Sequence, residues 1–320
     1  MPGLLRSGAA LHPGVMRADL FLRLLPSRWP RHAAILLSLA VGLALSGCAA
    51  VLNAATSGDG YGVVSDIPYG SGERGRYDLY IPATVTETTP LVVFLYGGSW
   101  DSGDKETYLF VGQSLASAGI IVAIPDYRLY PEVRFPGFVE DAAEATARAI
   151  ATVRGGAYGM PGSAHPVFLM GHSAGAEIAG LLATDGDWLA REGAAIETLA
   201  GFIGLAGPYD FLPLTEDRYK QIFPQETRSA SQPVNFVDGD EPPMLLIAGE
   251  DDTTVNPQNT RSLATKVRAQ GGDATEIIYP GVDHIGAITS FATALPLNDE
   301  TIRDRTLLFI RERSHQETAR

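Results

Sequence analysis

A single cysteine, Cys48, is present in the 320 residues of the chain. One cysteine cannot form an internal disulfide, so the thiol is a buried spectator, an intermolecular bridge or an attachment point. Clusters of lysine and arginine are also lacking, and 37 acidic residues outweigh 24 basic ones, giving a net charge of −13. A surface of this sign repels nucleic acid, so we expect no nucleic-acid partner.

An apolar run long enough to cross a membrane is lacking near the N-terminus. The run Ala33–Leu45 holds 13 residues, whereas a transmembrane helix needs about 20. Arg23, Arg28 and Arg31 precede it. Basic residues followed by a short apolar core are typical of a secretory signal peptide, so we expect residues 1–47 to be a removable leader. Met16 is an alternative start, because the residues before it add nothing that such a leader needs.

The apolar run ends in Leu45-Ser46-Gly47-Cys48, which resembles the bacterial lipobox. The resemblance implies that Cys48 is lipidated and becomes the new N-terminus of an exported protein held on a membrane. Two acyl signals or more give stable anchoring. The residue after the cysteine is Ala49 and not Asp. This resembles the pattern of Gram-negative lipoproteins that are placed in the outer membrane, facing the periplasm. The small and polar residues 48–60 would then form a tether.

Eight short apolar runs follow, and helical patterns lie between most of them. The later runs are continuously apolar, which is typical of strands buried on both faces of a parallel sheet. The order predicts an α/β fold, an eight-stranded and mostly parallel sheet with helices on both faces. The predicted strands are Val63–Ile67, Tyr77–Ile81, Leu91–Leu95, Ile120–Ile124, Val167–Met170, Phe202–Leu205, Met244–Ile247 and Thr275–Tyr279. The predicted helices are Thr107–Ala118, Phe138–Val153, Ala174–Thr184, Pro257–Ala269 and Asp299–Arg311.

One catalytic domain is expected over residues 61–313, followed by a frayed tail at 314–320. Within this domain the segment Gly207–Pro242 is rich in proline and aromatic residues. It is too long for an ordinary connection between two elements of a compact domain. We therefore predict that it forms a lid or one wall of a pocket.

The sequence Gly171-His172-Ser173-Ala174-Gly175 is a Gly-x-Ser-x-Gly motif between a predicted strand and a predicted helix. In a strand-turn-helix elbow, this motif presents the serine hydroxyl as a nucleophile. The glycines are needed there because side chains would collide with the neighbouring strand and helix. A plain Gly/Ser turn is the alternative, since the motif alone is modest evidence.

A serine hydroxyl needs a neighbouring base to become a nucleophile at neutral pH. His284 follows the last predicted strand and therefore lies at the carboxyl edge of the sheet, where such folds bind ligands. A solvated loop histidine is the alternative. The other five histidines are placed elsewhere: His12 and His32 in the leader, His315 in the tail, His165 at the opposite end of the sheet, and His172 pointing away from Ser173.

A carboxylate must orient the imidazole and stabilise its charged form. Asp252, directly after the seventh predicted strand and 32 residues before His284, is our prediction. Its neighbour Asp251 and the earlier Asp210, after the sixth strand, remain as alternatives. The resulting order along the chain is Ser, Asp, His.

Negative charge develops on the carbonyl oxygen during acyl transfer, so backbone N–H groups must point at it. The loop Tyr96–Trp100, hereafter the glycine loop, follows the third predicted strand. We predict that the N–H groups of Gly98, Ser99 and Ala174 form this oxyanion hole. A simple glycine turn is the alternative.

The glycine loop, Gly171–Gly175, Gly249–Val255 and Asp283-His284 together resemble the carboxylesterase branch of the α/β-hydrolases, near the bacterial feruloyl-esterase-like and hormone-sensitive-lipase-like groups. The similarity covers about Tyr61–Arg311. It implies hydrolysis of a small-molecule ester through an acyl-enzyme, with no metal or cofactor. The family usually has His-Gly-Gly where this chain has Tyr96-Gly97-Gly98. A phenol can also hold the loop by a hydrogen bond, so we expect little loss of function from this departure.

Two other functions are compatible with these residues. Similar family members open N-formyl amides with the same three residues, so an arylformamidase acting on an N-formylkynurenine-type substrate is the first alternative. A lipid-anchored binding protein that keeps the fold without activity is the second. All the expected catalytic positions are filled, which favours an enzyme.

Overall fold

The computed structural model describes residues 50–293 and 301–318. The predicted leader and Cys48 lie outside the described residues, so the signal peptide and the lipid anchor stay predictions. Among the described residues, we find no helix with the length and apolar character needed to span a bilayer.

The described strands form one eight-stranded sheet in the order β1-β2-β4-β3-β5-β6-β7-β8. Strand β2 runs antiparallel to β1 and to β4, and all other neighbours are parallel. The predicted α/β fold with a mostly parallel sheet is therefore confirmed. The strands are β1 (Tyr61–Pro68), β2 (Arg76–Pro82), β3 (Leu91–Leu95), β4 (Ile121–Pro125), β5 (Val167–His172), β6 (Leu199–Leu205), β7 (Met244–Gly249) and β8 (Ala274–Tyr279).

Every residue of the central strands β3, β5, β6 and β7 is buried. Because successive side chains point to opposite faces of a strand, burial of all of them means that both faces of the sheet are covered. The helices that follow the predicted patterns are α1 (Leu109–Ala116), α2 (Gly137–Arg154), α3 (Ala174–Thr184), α6 (Gln258–Ala269) and α8 (Thr301–Thr318). Three shorter helices between these were not predicted: α4 (Asp187–Arg191), α5 (Asp217–Ile222) and α7 (Gly286–Thr289).

The C-terminal helix is longer than predicted. It continues through Thr318, past the expected end at Arg311 and into the expected tail. Ser314, the first residue of that tail, is buried, and its Oγ donates to the carbonyl oxygen of Ile310 at 2.7 Å. The polar sequence Ser-His-Gln-Glu masks this continuation, because it lacks the apolar spacing that marks a packed helix.

The predicted tether also differs from expectation, because residues 50–55 are helical. Leu52 is buried, and Asn53 Nδ2 donates to the carbonyl oxygen of Glu106 at 2.7 Å. Asn53 Oδ1 accepts the N–H of Phe110 at 3.1 Å. This part of residues 48–60 is therefore attached to the surface of the domain, through contacts that its small-residue composition does not reveal.

The loops that follow β3, β5, β6, β7 and β8 all emerge at the carboxyl edge of the parallel strands. Ligands of open α/β sheets bind at this edge. The segment Gly207–Pro242, hereafter the wall segment, follows β6 and contains α5 with two short 3-10 helices, Arg228–Ser231 and Pro233–Asn235.

Candidate active site

Ser173 occupies the sharp turn between β5 and α3. Its backbone has φ 54° and ψ −125°, a conformation that a residue with a side chain adopts at a cost of about 1–3 kcal/mol. The turn is held by a hydrogen bond from the Ser173 N–H to the carbonyl oxygen of Leu205 at 2.9 Å. The strained turn presents the serine hydroxyl at the carboxyl edge of the sheet.

The two motif glycines are needed for close packing, as the sequence predicted. A Cβ on Gly175 would lie 2.1 Å from the carbonyl oxygen of Leu95. A Cβ on Gly171 would lie 2.3 Å from the carbonyl oxygen of Gly175. Strand β3, strand β5 and helix α3 can therefore meet at the turn only where side chains are missing.

The structure brings Ser173, His284 and Asp252 into one hydrogen-bonded row. His284 Nε2 lies 2.9 Å from Ser173 Oγ, and His284 Nδ1 lies 2.7 Å from Asp252 Oδ2. All three residues are at most 9% exposed. With the ring proton on Nδ1 facing the carboxylate, Nε2 is free to accept the serine proton.

Asp252 is held in place by its own backbone environment. Its Oδ1 accepts the N–H groups of Thr254 and Val255, both at 2.8 Å, which leaves Oδ2 for the imidazole. Both alternative carboxylates, Asp251 and Asp210, are exposed. Of the three candidate acids, Asp252 is the one that contacts His284.

The glycine loop lies against the serine turn. Gly98, Ser99 and Trp100 all have positive φ, of 143°, 53° and 64°, and a Cβ on Gly98 would meet the carbonyl oxygen of Ser102 at 2.0 Å. Ala174 is the first residue of α3, so its N–H has no partner within the helix. Of the three predicted donors, Ser99 and Ala174 line the same cavity as Ser173, whereas Gly98 is not among the lining residues.

Tyr96 replaces the histidine of the usual pattern, and its phenol holds the start of the glycine loop. The hydroxyl donates to Asp126 Oδ1 at 2.8 Å and accepts from Arg74 at 3.0 Å. The ring is stacked between those of Tyr108 and Tyr127. Burial raises the pKa of Tyr96 well above its usual value, so the phenol stays neutral.

His172 contacts the backbone of His284, a contact that the sequence reasoning missed. Its Nε2 lies 3.1 Å from the carbonyl oxygen of His284, and the two ring centroids are 4.9 Å apart. Burial lowers the pKa of His172 to about 3. The neutral ring therefore donates its Nε2–H and supports the loop that carries His284.

A cavity of about 600 Å³ opens beside Ser173; we call it the site cavity. Nine of its lining residues come from the wall segment, and the charged residues among the lining are Asp210 and Glu216, both exposed. No lysine or arginine is among the described residues that line it. Its apolar lining consists of Trp100, Ala174, Pro208, Phe211, Leu212, Pro213, Leu214, Tyr219 and Val255.

Within residues 50–293 and 301–318, no three His, Cys, Asp or Glu side chains are grouped so as to hold a metal ion. The described site consists of a serine, a histidine and a carboxylate with backbone N–H groups beside them. This set of groups is suited to acyl transfer by a nucleophilic serine.

The sheet order and the serine at the turn between β5 and α3 define an α/β-hydrolase. Within that class the chain belongs to the BD-FAE family, whose model matches residues 77–267.

Known proteins with related sequences include a probable isoprenylcysteine alpha-carbonyl methylesterase of Arabidopsis thaliana, 30% identical over 244 residues that cover 68% of this chain and 50% of that protein. Kynurenine formamidase of Salmo salar is 30% identical over 149 residues, or 47% of each chain. This chain thus spans about half the length of the curated relatives it matches. Esterase B of Lactobacillus rhamnosis, inhibited by a tributyrin phosphonate, has the same fold, with a TM-score of 0.74 at 19% identity, covering 90% of this chain and 98% of that one.

Proposed function

We propose that the protein is a serine hydrolase that cleaves carboxylic esters. Ser173 is the nucleophile, His284 the general base, and Asp252 the carboxylate that orients the imidazole. The observation that carries the proposal is the continuous row from Ser173 Oγ through both nitrogens of His284 to Asp252 Oδ2, at 2.9 and 2.7 Å. The esterase among the related sequences supports it.

The reaction follows from this geometry in two steps. Ser173 Oγ attacks the ester carbonyl carbon while His284 Nε2 takes the hydroxyl proton, and the proton then passes to the departing alkoxide. An acyl-enzyme on Ser173 remains. Water, deprotonated by the same nitrogen, attacks it and releases the acid. The N–H groups of Ser99, Ala174 and Gly98 are proposed to stabilise the negative oxygen of each tetrahedral intermediate.

The lining of the site cavity supports a proposal on the substrate class. Its apolar lining accommodates a small uncharged acyl or alcohol group. Asp210 and Glu216 at its exposed side favour neutral or cationic groups over anionic ones. We therefore propose that neutral esters are hydrolysed well and esters bearing a carboxylate poorly.

A formamidase is the second candidate, because kynurenine formamidase is among the related sequences. N-formylkynurenine carries both an ammonium group and a carboxylate. Asp210 and Glu216 can pair with the ammonium group, but the described lining of the site cavity holds no lysine or arginine to pair with the carboxylate. We expect kcat/KM for p-nitrophenyl acetate to exceed that for N-formylkynurenine by at least about tenfold. The reason is that a bound carboxylate without a hydrogen-bonding or charged partner costs about 1–3 kcal/mol. The reverse ratio would make the formamidase the better assignment.

The decisive experiment measures hydrolysis of p-nitrophenyl acetate, butyrate, octanoate and palmitate by the full chain. Ser173→Ala, His284→Ala and Asp252→Ala should each lose at least about 10³-fold in kcat, because the three groups act as a unit. Asp251→Ala is the matched control, since it removes an exposed carboxylate next to Asp252. Undiminished activity in Ser173→Ala would refute the mechanism.

A fluorophosphonate probe separates the enzyme from the inactive binding protein. It should label the wild type and fail to label Ser173→Ala. A folded wild type that neither reacts with the probe nor hydrolyses any of the esters would favour the binding protein.

We also propose that the chain is exported and anchored at Cys48 to a bacterial membrane, the outer membrane on its periplasmic side. The basis is the sequence Leu45–Cys48 behind a short apolar run. Radiolabelled palmitate should be incorporated by the wild type and not by Cys48→Ser, and the variant should leave the membrane fraction. Equal labelling of both proteins would refute the anchor.

A further inference from the structure

A buried carboxyl group that the reaction does not use lies on the helix behind the nucleophile. Glu177 is in α3, one turn after Ser173, and its residue is 0% exposed. Its Oε2 accepts a hydrogen bond from the indole Nε1 of Trp100 at 2.9 Å. Its Oε1 has no hydrogen-bond partner among the described residues. A buried carboxyl oxygen without a hydrogen bond lowers the stability of the fold, so the presence of Glu177 at this position requires an explanation.

Burial is the main influence on this carboxyl. It raises the pKa of Glu177 well above its usual range, and the hydrogen bond from Trp100 only partly opposes that effect. Burial therefore favours the protonated, neutral form of the Glu177 carboxyl. A neutral carboxyl still accepts the indole N–H, so the contact does not require an ion.

Trp100 connects three parts of the site. It follows Ser99 in the glycine loop, and both residues have positive φ. Its carbonyl oxygen accepts the N–H of Tyr130 at 2.9 Å. Its indole ring packs edge-on against Phe223 of the wall segment, with ring centroids 4.8 Å apart. The N–H of that ring forms a hydrogen bond between the glycine loop and α3.

Helix α3 also begins at the proposed nucleophile and at one of the proposed N–H donors. Ser173 precedes its first residue, Ala174 supplies an N–H at its start, and Glu177 follows within the next turn. A contact from Glu177 to Trp100 therefore fixes the neighbouring Ser99 N–H relative to the nucleophile and to the second donor. Misplacement of such donors by about 1 Å costs on the order of 100-fold in rate.

We propose that Glu177 is a positioning residue that sets the oxyanion hole by holding Trp100, an inference that rests on the esterase function proposed above. Glu177 does not touch the substrate. It acts through the indole N–H and keeps Ser99 aligned with Ala174.

Two variants of Glu177 distinguish the role of its hydrogen-bond acceptor from the roles of its charge and its bulk. Glu177→Gln keeps a carbonyl oxygen for the indole, and Glu177→Leu keeps the apolar bulk without an acceptor. We expect Glu177→Leu to lower kcat for p-nitrophenyl acetate by about 10- to 100-fold, with KM changed less than about threefold. Glu177→Gln should keep kcat within about threefold of the wild type, because its side chain still offers a carbonyl oxygen to the indole N–H.

Trp100→Phe tests the contact from the other side, since it removes the N–H and retains an aromatic ring. In the double variant Trp100→Phe/Glu177→Leu, the losses should not add, because both changes remove one interaction. Thr146→Val is the matched control for loss of a buried hydrogen bond in a neighbouring helix, where Thr146 Oγ1 donates to the carbonyl oxygen of Ala142 at 2.7 Å. It should lower the melting temperature and leave kcat unchanged.

The outcomes are distinct. A folded Glu177→Leu with wild-type kcat overturns the proposal, and so does a Glu177→Gln that loses as much as Glu177→Leu. Additive losses in the double variant also overturn it. If the wild type and Ser173→Ala are equally inactive on esters, the proposed esterase function is wrong. The three results above, by contrast, would contradict the role of Glu177 and leave the esterase function intact.

Discussion

At the scale of single residues, His172 shows how burial fixes a protonation state. Its pKa in the folded protein is about 3, below the ordinary 6.5, because the ring is buried. As pH falls below about 6.5, the histidine of the unfolded chain takes up a proton and the folded one does not. The free energy of unfolding should then fall with decreasing pH.

The first prediction follows from this difference. From pH 6.5 downward, His172 makes the wild type lose up to about 1.4 kcal/mol of unfolding free energy per pH unit. His172→Asn removes this titration, so its unfolding free energy should fall less steeply than that of the wild type. Urea unfolding between pH 7 and 4.5 measures both slopes, with His315→Asn as the control for an exposed histidine. Parallel slopes would contradict the assignment.

The second prediction concerns the phenol of Tyr96. Tyr96→Phe leaves the buried Asp126 carboxylate without one donor and Arg74 without one acceptor. The free energy of unfolding should fall by about 1–3 kcal/mol, measured by chemical denaturation. Tyr158→Phe, at a side chain that is 51% exposed, should change it by less than about 0.5 kcal/mol. Equal effects of both variants would contradict a role for the hydroxyl.

Sequence reasoning at this scale reaches residues with a local signature. Ser173 stands in a motif, and His284 and Asp252 follow predicted strands, so their shared edge could be inferred from topology. The contacts of His172 with His284 and of Glu177 with Trp100 join positions 112 and 77 residues apart. No local pattern encodes such pairs, because they depend on how the packed loops meet.

At the scale of elements, the sharp turn between β5 and α3 depends on two glycines more than on the rest of α3. The next helical glycine, Gly180, has its nearest neighbour, Pro233 Cγ, at 3.2 Å from an added Cβ. Side-chain atoms at that distance can shift slightly. The backbone oxygens beside Gly175, at 2.1 and 2.3 Å, cannot.

The third prediction compares Gly175 with Gly180, which both lie in α3. Gly175→Ala should separate α3 from β3 and abolish esterase activity. The free energy of unfolding should fall by about 1–3 kcal/mol or more, the cost of overpacking a core. Gly180→Ala should stay within about 1 kcal/mol of the wild type, because alanine favours a helix. Melting curves and kcat for p-nitrophenyl acetate measure both; a stable and active Gly175→Ala would contradict the packing argument.

Predictability also differs among elements. Long runs with a clear period, such as α2, α3 and the buried strands, were predicted within a few residues. The helices α4, α5 and α7 hold only four to six residues. Such segments are too short to display a 3.6-residue period, and tertiary packing decides their conformation.

At the scale of the whole molecule, the net charge of the chain and the charged residues that line the site cavity have the same, negative sign. The chain carries a net charge of −13, and the charged residues that line the site cavity are Asp210 and Glu216. A field of one sign changes the rate at which charged substrates approach. Salt weakens it, since the Debye length falls from about 30 Å at 0.01 M to about 3 Å at 1 M.

The fourth prediction uses this screening. At low salt, kcat/KM should be lower for an ester bearing a carboxylate than for its neutral counterpart, and the difference should shrink as salt rises. Asp210→Asn combined with Glu216→Gln should reduce the difference at low salt. A ratio of kcat/KM values that does not change with salt or with this variant would contradict an electrostatic origin.

The proposed reacting groups follow strand ends, whereas half of the described cavity lining comes from the wall segment after β6. Evolution can therefore alter the wall segment, and with it the range of accepted esters, while the chemistry is inherited unchanged. Trp100 restricts which changes the wall segment can accept, because its ring packs against Phe211, Tyr219 and Phe223 of that segment. Homologues that diverge in substrate choice should accordingly exchange these aromatic residues together with the tryptophan.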